Sequence, residues 1–203
     1  AIEALRTQCP AALLSVDTYR APVAEAALAA GAHLINDISG GRMDAALLEV
    51  VAAAKVPYIL MHMQGTPRTM QANPQYEVLL TDLLDYFVER LRVLCDHGIE
   101  DIVLDVGFGF GKTLDHNYEL LANLKEFRVL QRPMLAGLSR KSMIWKALGS
   151  SPEEALNGTT ALHMVALQQG AKMLRSHDVL HALETIQLYQ RLKRYSNKST
   201  ASF

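Results

Sequence analysis

Hydrophobic positions recur along this chain in two alternating patterns. Short apolar runs that end in polar residues predict β-strands at 13–19, 33–39, 56–62, 102–108, 133–139 and 172–178. Longer stretches with apolar residues at helical spacing predict helices at 23–30, 43–55, 74–97, 151–169 and 179–193. Because the strands are nearly continuous apolar runs that alternate with helices, the pattern indicates an α/β fold around a parallel sheet.

Local signals place the ends of two of these helices. Asn73 followed by Pro74 predicts the start of the long helix at 74, and Gly98 predicts its end. Ser151 and Glu154 have the spacing of a capping box, which predicts that the next helix opens at 151.

The polar residues at the strand ends distinguish two architectures. A doubly wound sheet usually binds its ligand at one topological switch point, whereas a barrel gathers side chains from nearly every strand end on one face. Here every predicted strand ends in polar residues: Asp17, Asn36, Asp37, His62, Asp105, Ser139, Arg140, Lys141, Arg175, His177 and Asp178. We therefore predict a TIM (β/α)8 barrel with its site at the carboxyl ends of the strands, and with six of the eight βα units in this sequence.

The first residues, "AIEALRTQCPAALLSVD", have the pattern of a helix that leads into a strand. We expect that the chain begins in mid-domain and that two βα units precede residue 1. The expected organisation is a single barrel domain over residues 1–193, incomplete at its N-terminus, followed by a polar tail at 194–203.

Composition excludes several classes of function. The net charge of −1 argues against binding to nucleic acid or to an anionic membrane. No apolar run approaches the roughly 18 residues of a membrane span. Cys9 and Cys95 form no C-x-x-C pair, which argues against a disulfide framework or a structural zinc site and favours the reducing cytoplasm.

The stretch "DVGFGFGKT", from Asp105 to Thr113, resembles a nucleotide-binding loop but fails both relevant patterns. The P-loop pattern requires a glycine where Val106 stands, and the third glycine comes one residue too early for G-x-G-x-x-G. We therefore expect the glycines to turn the chain off a strand that ends in Asp105, and Lys112 and Thr113 to be surface-loop or helix-start residues.

Two sets of strand-end residues suggest a ligand. Arg175 and His177 are two positions apart on a strand, so they point the same way and suit an anion such as phosphate, with Lys141 as a further cation. The alternative is that Arg175 pairs with a neighbouring carboxylate and His177 caps the next helix. Asp17 and Asp105 lie in apolar runs and are expected to be buried, either in structural pairs or as acceptors of two hydrogen bonds from an amidine-like ligand edge.

Six segments, in this order and spacing, closely resemble the dihydropteroate synthase family, from about residue 13 to about residue 193: "SVDTYR" (15–20), "INDISGG" (35–41), "LMHMQGTP" (60–67), "LDVGFGFGKT" (104–113), "GLSRKSMI" (137–144) and "LRSHDV" (174–179). The resemblance implies a TIM barrel that joins 6-hydroxymethyl-7,8-dihydropterin pyrophosphate to p-aminobenzoate. The products are 7,8-dihydropteroate and pyrophosphate, in folate biosynthesis.

The resemblance also implies a set of site residues. Implied catalytic residues are Asp17, Lys141, Arg175 and His177, and implied substrate-binding residues are Asn36, Ile38, Met61, Asp105, Phe110, Gly137 and Ser139. By this match Asp105 takes the amino-pyrimidine edge of the pterin, Arg175 and His177 hold the pyrophosphate, and Phe110 borders the aminobenzoate.

Further expectations follow from the same family. Its members bind Mg²⁺ through an asparagine in the two N-terminal βα units, so no metal ligand is expected in this sequence. They form homodimers through helices near the C-terminus. Two alternatives stay open: a non-catalytic pterin-binding fragment, and a methyltetrahydrofolate-dependent methyltransferase barrel, which shares the strand-end Asn and Asp but has no use for "SRK" and "RSHD".

Overall fold

The computed structural model describes residues 1–196. Its centre is a sheet of six parallel strands: β1 (Ser15–Asp17), β2 (Leu34–Asp37), β3 (Tyr58–Met61), β4 (Ile102–Asp105), β5 (Met134–Ala136) and β6 (Met173–Leu174). Each lies within one of the predicted strands. The apolar runs therefore predicted all the strands of the described sheet.

The strands lie in the sheet in the order in which they occur in the chain, from β1 to β6. A doubly wound sheet would reverse its order at a switch point, so this order agrees with the predicted barrel. In the described residues the outer sides of β1 and β6 pair with no strand, so the sheet is open. The sheet is nevertheless curled, as the distance between its two edges shows. Arg175 Nη2, just after β6, lies 2.9 Å from Asp17 Oδ2 at the end of β1.

Helices alternate with the strands along the chain, and those that connect two strands cover one face of the sheet. They are α1 (Ile2–Gln8), α2 (Ala21–Ala29), α3 (Ala46–Ala54), α4 (Leu79–Asp96), α5 (Leu114–Ala122), α6 (Ser142–Leu148), α7 (Leu156–Gln168) and α8 (Val179–Ser196), with a 3-10 helix at Leu124–Leu130. Over residues 1–196, none of them is both long and apolar enough to cross a membrane.

The predicted start of α4 is wrong by five residues. The helix begins at Leu79, and neither Asn73 nor Pro74 takes part in it. Residues 74–77 are instead held in a loop, because the Gln75 N–H donates to Gln64 Oε1 at 2.9 Å and the Tyr76 hydroxyl donates to the Gly111 carbonyl at 2.6 Å.

The capping-box prediction at Ser151 is also wrong, because α7 begins at Leu156. The guanidinium of Arg140 donates to the carbonyl oxygens of Pro152 and Glu153, at 2.9 and 2.7 Å, and this segment is a turn. At the other end of the chain, α8 runs to Ser196, past the predicted end at 193. Residues 197–203 of the predicted tail lie outside the described residues.

Alternating residues of the strands build two separate apolar clusters. Tyr58 and Leu60 belong to the large core between the sheet and the helices, together with Phe87 of α4. Ile59, between them, faces the other way and packs with Val103 and Leu135 on the concave face. This period of two is what a sheet imposes, and it leaves the strand ends to form the rim of the concave face.

Asp37, at the end of β2, has a structural role. It is fully buried and accepts hydrogen bonds from the Ser39 N–H (2.7 Å), the Ser39 hydroxyl (3.0 Å), the Gly41 N–H (2.6 Å) and the Tyr58 hydroxyl (2.6 Å). Burial and the neighbouring Asp37 carboxylate raise the pKa of Tyr58, so the hydroxyl stays a donor. The turn after β2 is therefore anchored to β3.

Tyr58→Phe removes one donor from the buried Asp37 carboxylate without changing the shape of the core. We expect the free energy of unfolding, measured by urea denaturation, to fall by about 2 kcal/mol, since hydrogen bonds to charged groups are stronger than neutral ones. Tyr189→Phe, at a partly exposed position of α8, is the matched control. Equal stabilities of the Tyr58 variant and the unchanged protein would contradict the anchoring role.

Candidate active site

A cavity of about 410 Å³ opens at the carboxyl ends of the strands. Its lining comes from β1, β4, β5 and β6 and the loops after them: Asp17, Asp105, Phe110, Gly137, Ser139, Lys141, Arg175, Ser176 and His177. The structure thus brings together all of the predicted site residues except Asn36, Ile38 and Met61. The barrel prediction placed the site on this face.

Asp105 is the buried carboxylate of the cavity. It ends β4, is only 3% exposed, and accepts the Gly107 N–H through Oδ1 at 2.8 Å. Burial raises the pKa of Asp105, while Lys141 acts in the opposite direction. A Cβ added to Gly137 would lie 3.8 Å from Asp105 Oδ2 and 3.8 Å from Lys141 Nζ. The missing side chain therefore keeps the space beside both groups open.

Lys141 lies between Asp105 and an aromatic wall. Its ammonium donates to the Phe108 carbonyl and lies 4.8 Å from the centroid of the Phe110 ring. Burial lowers the pKa of Lys141, and Asp105 opposes that shift. Lys141 is thus held by the Phe108 carbonyl and the Phe110 ring, and it lines the cavity together with Asp105.

Arg175 pairs with Asp17 at 2.9 Å, as the alternative interpretation of Arg175 expected. The prediction that Asp17 is buried is wrong: its side chain is 49% exposed and that of Arg175 is 55% exposed. The reason is that β1 is an edge strand of the described sheet, so one side of Asp17 is uncovered. Such an exposed pair is worth about 0–1 kcal/mol, so an anion can compete for Arg175 at little cost.

His177 is fixed through Ser139. The Ser139 hydroxyl lies 3.0 Å from His177 Nδ1 and accepts the His177 N–H at 3.2 Å. Beside them, Arg140 donates to both carboxylate oxygens of Asp178, at 2.8 and 2.9 Å. This ion pair, which the sequence did not predict, joins the loop that bears Ser139 and Lys141 to the loop that bears Arg175 and His177.

Asn36 lies outside the main cavity but next to it. It lines a second space of about 490 Å³ on the concave face, which shares Asp17 and Arg175 with the main cavity. Its side chain is 4% exposed, and Nδ2 has no hydrogen-bond partner among the described residues. A buried amide donor without a partner is costly, so Nδ2 is available to a ligand.

The other two predicted residues, Ile38 and Met61, line neither of these two cavities. Met61 is fully buried in β3, where it is paired in register with Asp105. Ile38 is half-buried just after β2. Their predicted place beside a ligand ring stays a prediction.

Lys112 is buried, contrary to its predicted place on the surface. It is only 3% exposed, and its ammonium contacts the Gly107 carbonyl (3.0 Å), the Phe110 carbonyl (3.1 Å) and His62 Nδ1 (3.0 Å). The G-x-G-x-G-K spacing gave no sign of this burial. The Thr113 hydroxyl, in contrast, caps α5 by accepting the His116 N–H at 3.1 Å. This confirms the predicted place of Thr113 at a helix start.

The Mg²⁺ ion that the family resemblance implies stays an expectation. Over residues 1–196, no group of three or more His, Cys, Asp or Glu side chains lies close enough together to hold a metal ion. The exposed carboxylate of the cavity, that of Asp17, is paired with Arg175.

Comparison with known proteins agrees with this geometry. The profile of the family described as "Pterin binding enzyme" matches residues 1–177. A dihydropteroate synthase of Escherichia coli is 42% identical over 179 residues, which cover 87% of this chain and 63% of that protein. The chain therefore spans somewhat less than two thirds of the length of this relative.

Two solved structures are also similar. A Yersinia pestis dihydropteroate synthase in a sulfonamide drug complex has a TM-score of 0.91 and 40% identity, over 95% of this chain and 70% of that chain. A Xanthomonas albilineans dihydropteroate synthase in complex with 7,8-dihydropteroate has a TM-score of 0.87 and 38% identity, over 95% of this chain and 72% of that chain. These matches confirm the predicted resemblance and the partial TIM barrel, and the chain belongs to the pterin-binding enzyme family.

Proposed function

We propose that this chain forms the pterin and pyrophosphate sites of a dihydropteroate synthase. The reaction joins 6-hydroxymethyl-7,8-dihydropterin pyrophosphate to 4-aminobenzoate and releases pyrophosphate. The observation that supports this most is a single cavity in which the buried Asp105 carboxylate lies beside Lys141 and within reach of the exposed Arg175 and His177. One end suits a polar heterocycle and the other suits a polyanion.

The buried end matches the amino-pyrimidine edge of a pterin. Asp105 Oδ1 already accepts the Gly107 N–H, which leaves Oδ2 to accept from ring N–H and amino groups. Asn36 Nδ2 is an unpaired donor for a ring acceptor. Because these groups are removed from water, a ligand that satisfies them regains hydrogen bonds that the empty protein lacks.

The exposed end matches the pyrophosphate. Arg175 can donate to phosphate oxygens through its guanidinium, and His177, fixed by Ser139, lies on the same side. A pyrophosphate that takes Arg175 displaces Asp17 from its ion pair. Asp17 would then be an unpaired carboxylate beside the pterin methylene.

This arrangement suggests how the reaction proceeds. The methylene C–O bond breaks, its electron pair leaves with the pyrophosphate, and Arg175 and His177 stabilise the growing negative charge. The nearby Asp17 carboxylate stabilises the cation-like methylene. The aminobenzoate nitrogen then forms the C–N bond and loses a proton, so no Ser or Cys nucleophile is required. Phe110 and Ser139 border the place where the aminobenzoate would lie.

Two features of the assignment remain proposals without a part in this mechanism. Magnesium is the cofactor that the family resemblance implies, and no step above uses it. A cytoplasmic location is proposed from the cysteines, since Cys9 and Cys95 are both free thiols.

We also propose a homodimer that forms through the C-terminal helices. An apolar stripe on α8 supports it: Leu180, Leu188 and Leu192 are 73%, 61% and 58% exposed. Their spacing places them on one side of the helix, and exposed apolar stripes of this kind mark interaction surfaces.

For the pterin site, we expect Asp105→Asn to bind dihydropterin pyrophosphate about 100-fold more weakly than the unchanged chain. An amide has one acceptor oxygen, and if that oxygen keeps the Gly107 N–H, the NH2 group faces the ligand's donors and leaves them unpaired. Isothermal titration calorimetry measures the affinity. Asp115→Asn, an exposed position of α5, is the matched control. Retained affinity in Asp105→Asn would overturn the pocket assignment.

The same titration distinguishes the alternative functions once 4-aminobenzoate is added. Release of pyrophosphate with formation of dihydropteroate supports the synthase. Binding without release supports a non-catalytic pterin-binding fragment. Methyl transfer from methyltetrahydrofolate would support the methyltransferase, which has no evident use for Arg175 and His177 together.

For the pyrophosphate end, we expect Arg175→Met to weaken the binding of dihydropterin pyrophosphate about 30-fold. The binding of bare 6-hydroxymethyl-7,8-dihydropterin should weaken less than about 3-fold, since the lost interactions are made only to phosphate. Arg92→Gln, an exposed position of α4, controls for loss of net charge. Equal losses for both ligands would contradict the role of Arg175.

For the dimer, we expect Leu188→Glu to convert the protein to a monomer in sedimentation velocity, because it places a charge within the apolar stripe. Gln190→Glu adds the same charge at an exposed position on another side of α8 and should leave the dimer intact. A sedimentation coefficient of a monomer for the unchanged chain would contradict the proposal.

A further inference from the structure

The glycine-rich loop from Gly107 to Gly111 forms one wall of the cavity through Phe110, and side chains hold all of its carbonyl oxygens. Two of these carbonyls, of Gly107 and Phe110, accept from Lys112 Nζ at 3.0 and 3.1 Å. The other three accept from Lys141 Nζ (Phe108), Gln71 Nε2 (Gly109) and the Tyr76 hydroxyl (Gly111). Lys112 thus bridges the carbonyls of Gly107 and Phe110, alongside the Phe110 N–H, which donates to the Gly107 carbonyl at 3.0 Å.

The loop can adopt this shape only because of its glycines. Gly107 has φ of +69°, and a Cβ there would lie 2.0 Å from the His62 carbonyl oxygen. The backbone just after β3 and the loop are therefore in close contact at this point. Lys112 lies on the same side, with Nζ 3.0 Å from His62 Nδ1.

The surroundings of Lys112 match the three N–H donors of an ammonium group. Its acceptors are two carbonyls and the Nδ1 lone pair of His62. Burial, followed by the charges of Lys112 and Arg42, lowers the pKa of His62 to about 2, so the imidazole is neutral and can accept. Burial lowers the pKa of Lys112 to about 7, while Asp105 acts to raise it.

We propose that Lys112 is a positioning residue of the proposed active site. By holding the Gly107 and Phe110 carbonyls, it keeps the Gly107 N–H on Asp105 at 2.8 Å and the Phe110 ring 4.8 Å from Lys141 Nζ. Lys112 does not line the cavity, so it acts through these two residues. The expected effect of Lys112 on ligand binding rests on the proposed function. The expected effect of Lys112 on the loop does not.

The positioning role differs from a purely structural one in its selectivity. The pterin end depends on Asp105 and thus on the loop, whereas the pyrophosphate end depends on Arg175 and His177, which come from β6 and the loop after it. Loss of Lys112 should therefore weaken pterin binding and leave the binding of inorganic pyrophosphate unchanged. A general structural defect would weaken both.

The test uses Lys112→Met, which removes the ammonium but keeps an unbranched side chain, and Lys112→Gln, which keeps two N–H donors. Lys125→Met, at an exposed position of the 3-10 helix, is the matched control. Amide hydrogen exchange by NMR reports on Gly107, Gly109 and Phe110, whose N–H groups donate to Asp105 Oδ1, Asn117 Oδ1 and the Gly107 carbonyl. Leu104, whose N–H donates to the Pro133 carbonyl, reports on the intact sheet.

In Lys112→Met we expect the Gly107 and Phe110 amides to exchange at least about 10-fold faster, with Leu104 unchanged. Calorimetry should show dihydropterin pyrophosphate bound at least about 10-fold more weakly, with inorganic pyrophosphate unaffected. Lys112→Gln should recover part of both effects, and Lys125→Met should show neither.

Three results would overturn the proposal: unchanged exchange in the loop, faster exchange with unchanged pterin affinity, or equal losses for the two ligands. If the unchanged chain binds neither ligand, the proposed function fails, and the ligand role of Lys112 fails with it. The exchange rates still decide, in that case, whether Lys112 holds the loop.

Discussion

The parallel register of the sheet is the constraint on which the rest of the structure depends. Since each strand pairs in parallel with its neighbours in the chain, all six carboxyl ends lie at one edge. The sheet is also curled, so that Asp17 and Arg175, which are 158 positions apart and belong to opposite ends of the sheet, form an ion pair. Distance along the chain therefore has no bearing on which side chains meet at the site, and the βα topology alone brings them together.

Burial divides the site into two electrostatic regions. Asp105 and Lys141 lie in the protected part, where each opposes the effect of burial on the other's pKa. Arg175 and Asp17 lie in the open part, where water screens their attraction. Such a division suits a ligand whose uncharged ring is recognised by directed hydrogen bonds and whose charged group must enter and, after reaction, leave.

What the sequence could predict follows from the range of the interactions involved. The strands and the polar residues at their ends were predictable, because apolar runs and their limits are local features of the chain. The starts of α4 and α7 were not predictable, because interactions with residues distant in the chain override the local capping signals. Tyr76 donates a hydrogen bond to the Gly111 carbonyl, and Arg140 holds the turn at 152–153. The exposure of Asp17 depends on which strands flank β1, and the burial of Lys112 depends on His62 and a folded loop. No periodicity in the chain encodes either.

The loop from Gly107 to Gly111 shows why a glycine-lysine pattern does not by itself define a phosphate site. A phosphate loop points its backbone N–H groups inward at the anion and leaves its lysine free to reach it. Here the N–H groups of Gly107 and Gly109 already donate to Asp105 and Asn117, and the carbonyl oxygens of Gly107 and Phe110 accept from the lysine. The loop is therefore oriented in the opposite sense: two of its carbonyl oxygens bind a lysine of its own chain. Under the proposed function, anion binding then belongs to Arg175 and His177, and the loop acts on a ligand through Asp105 and Phe110.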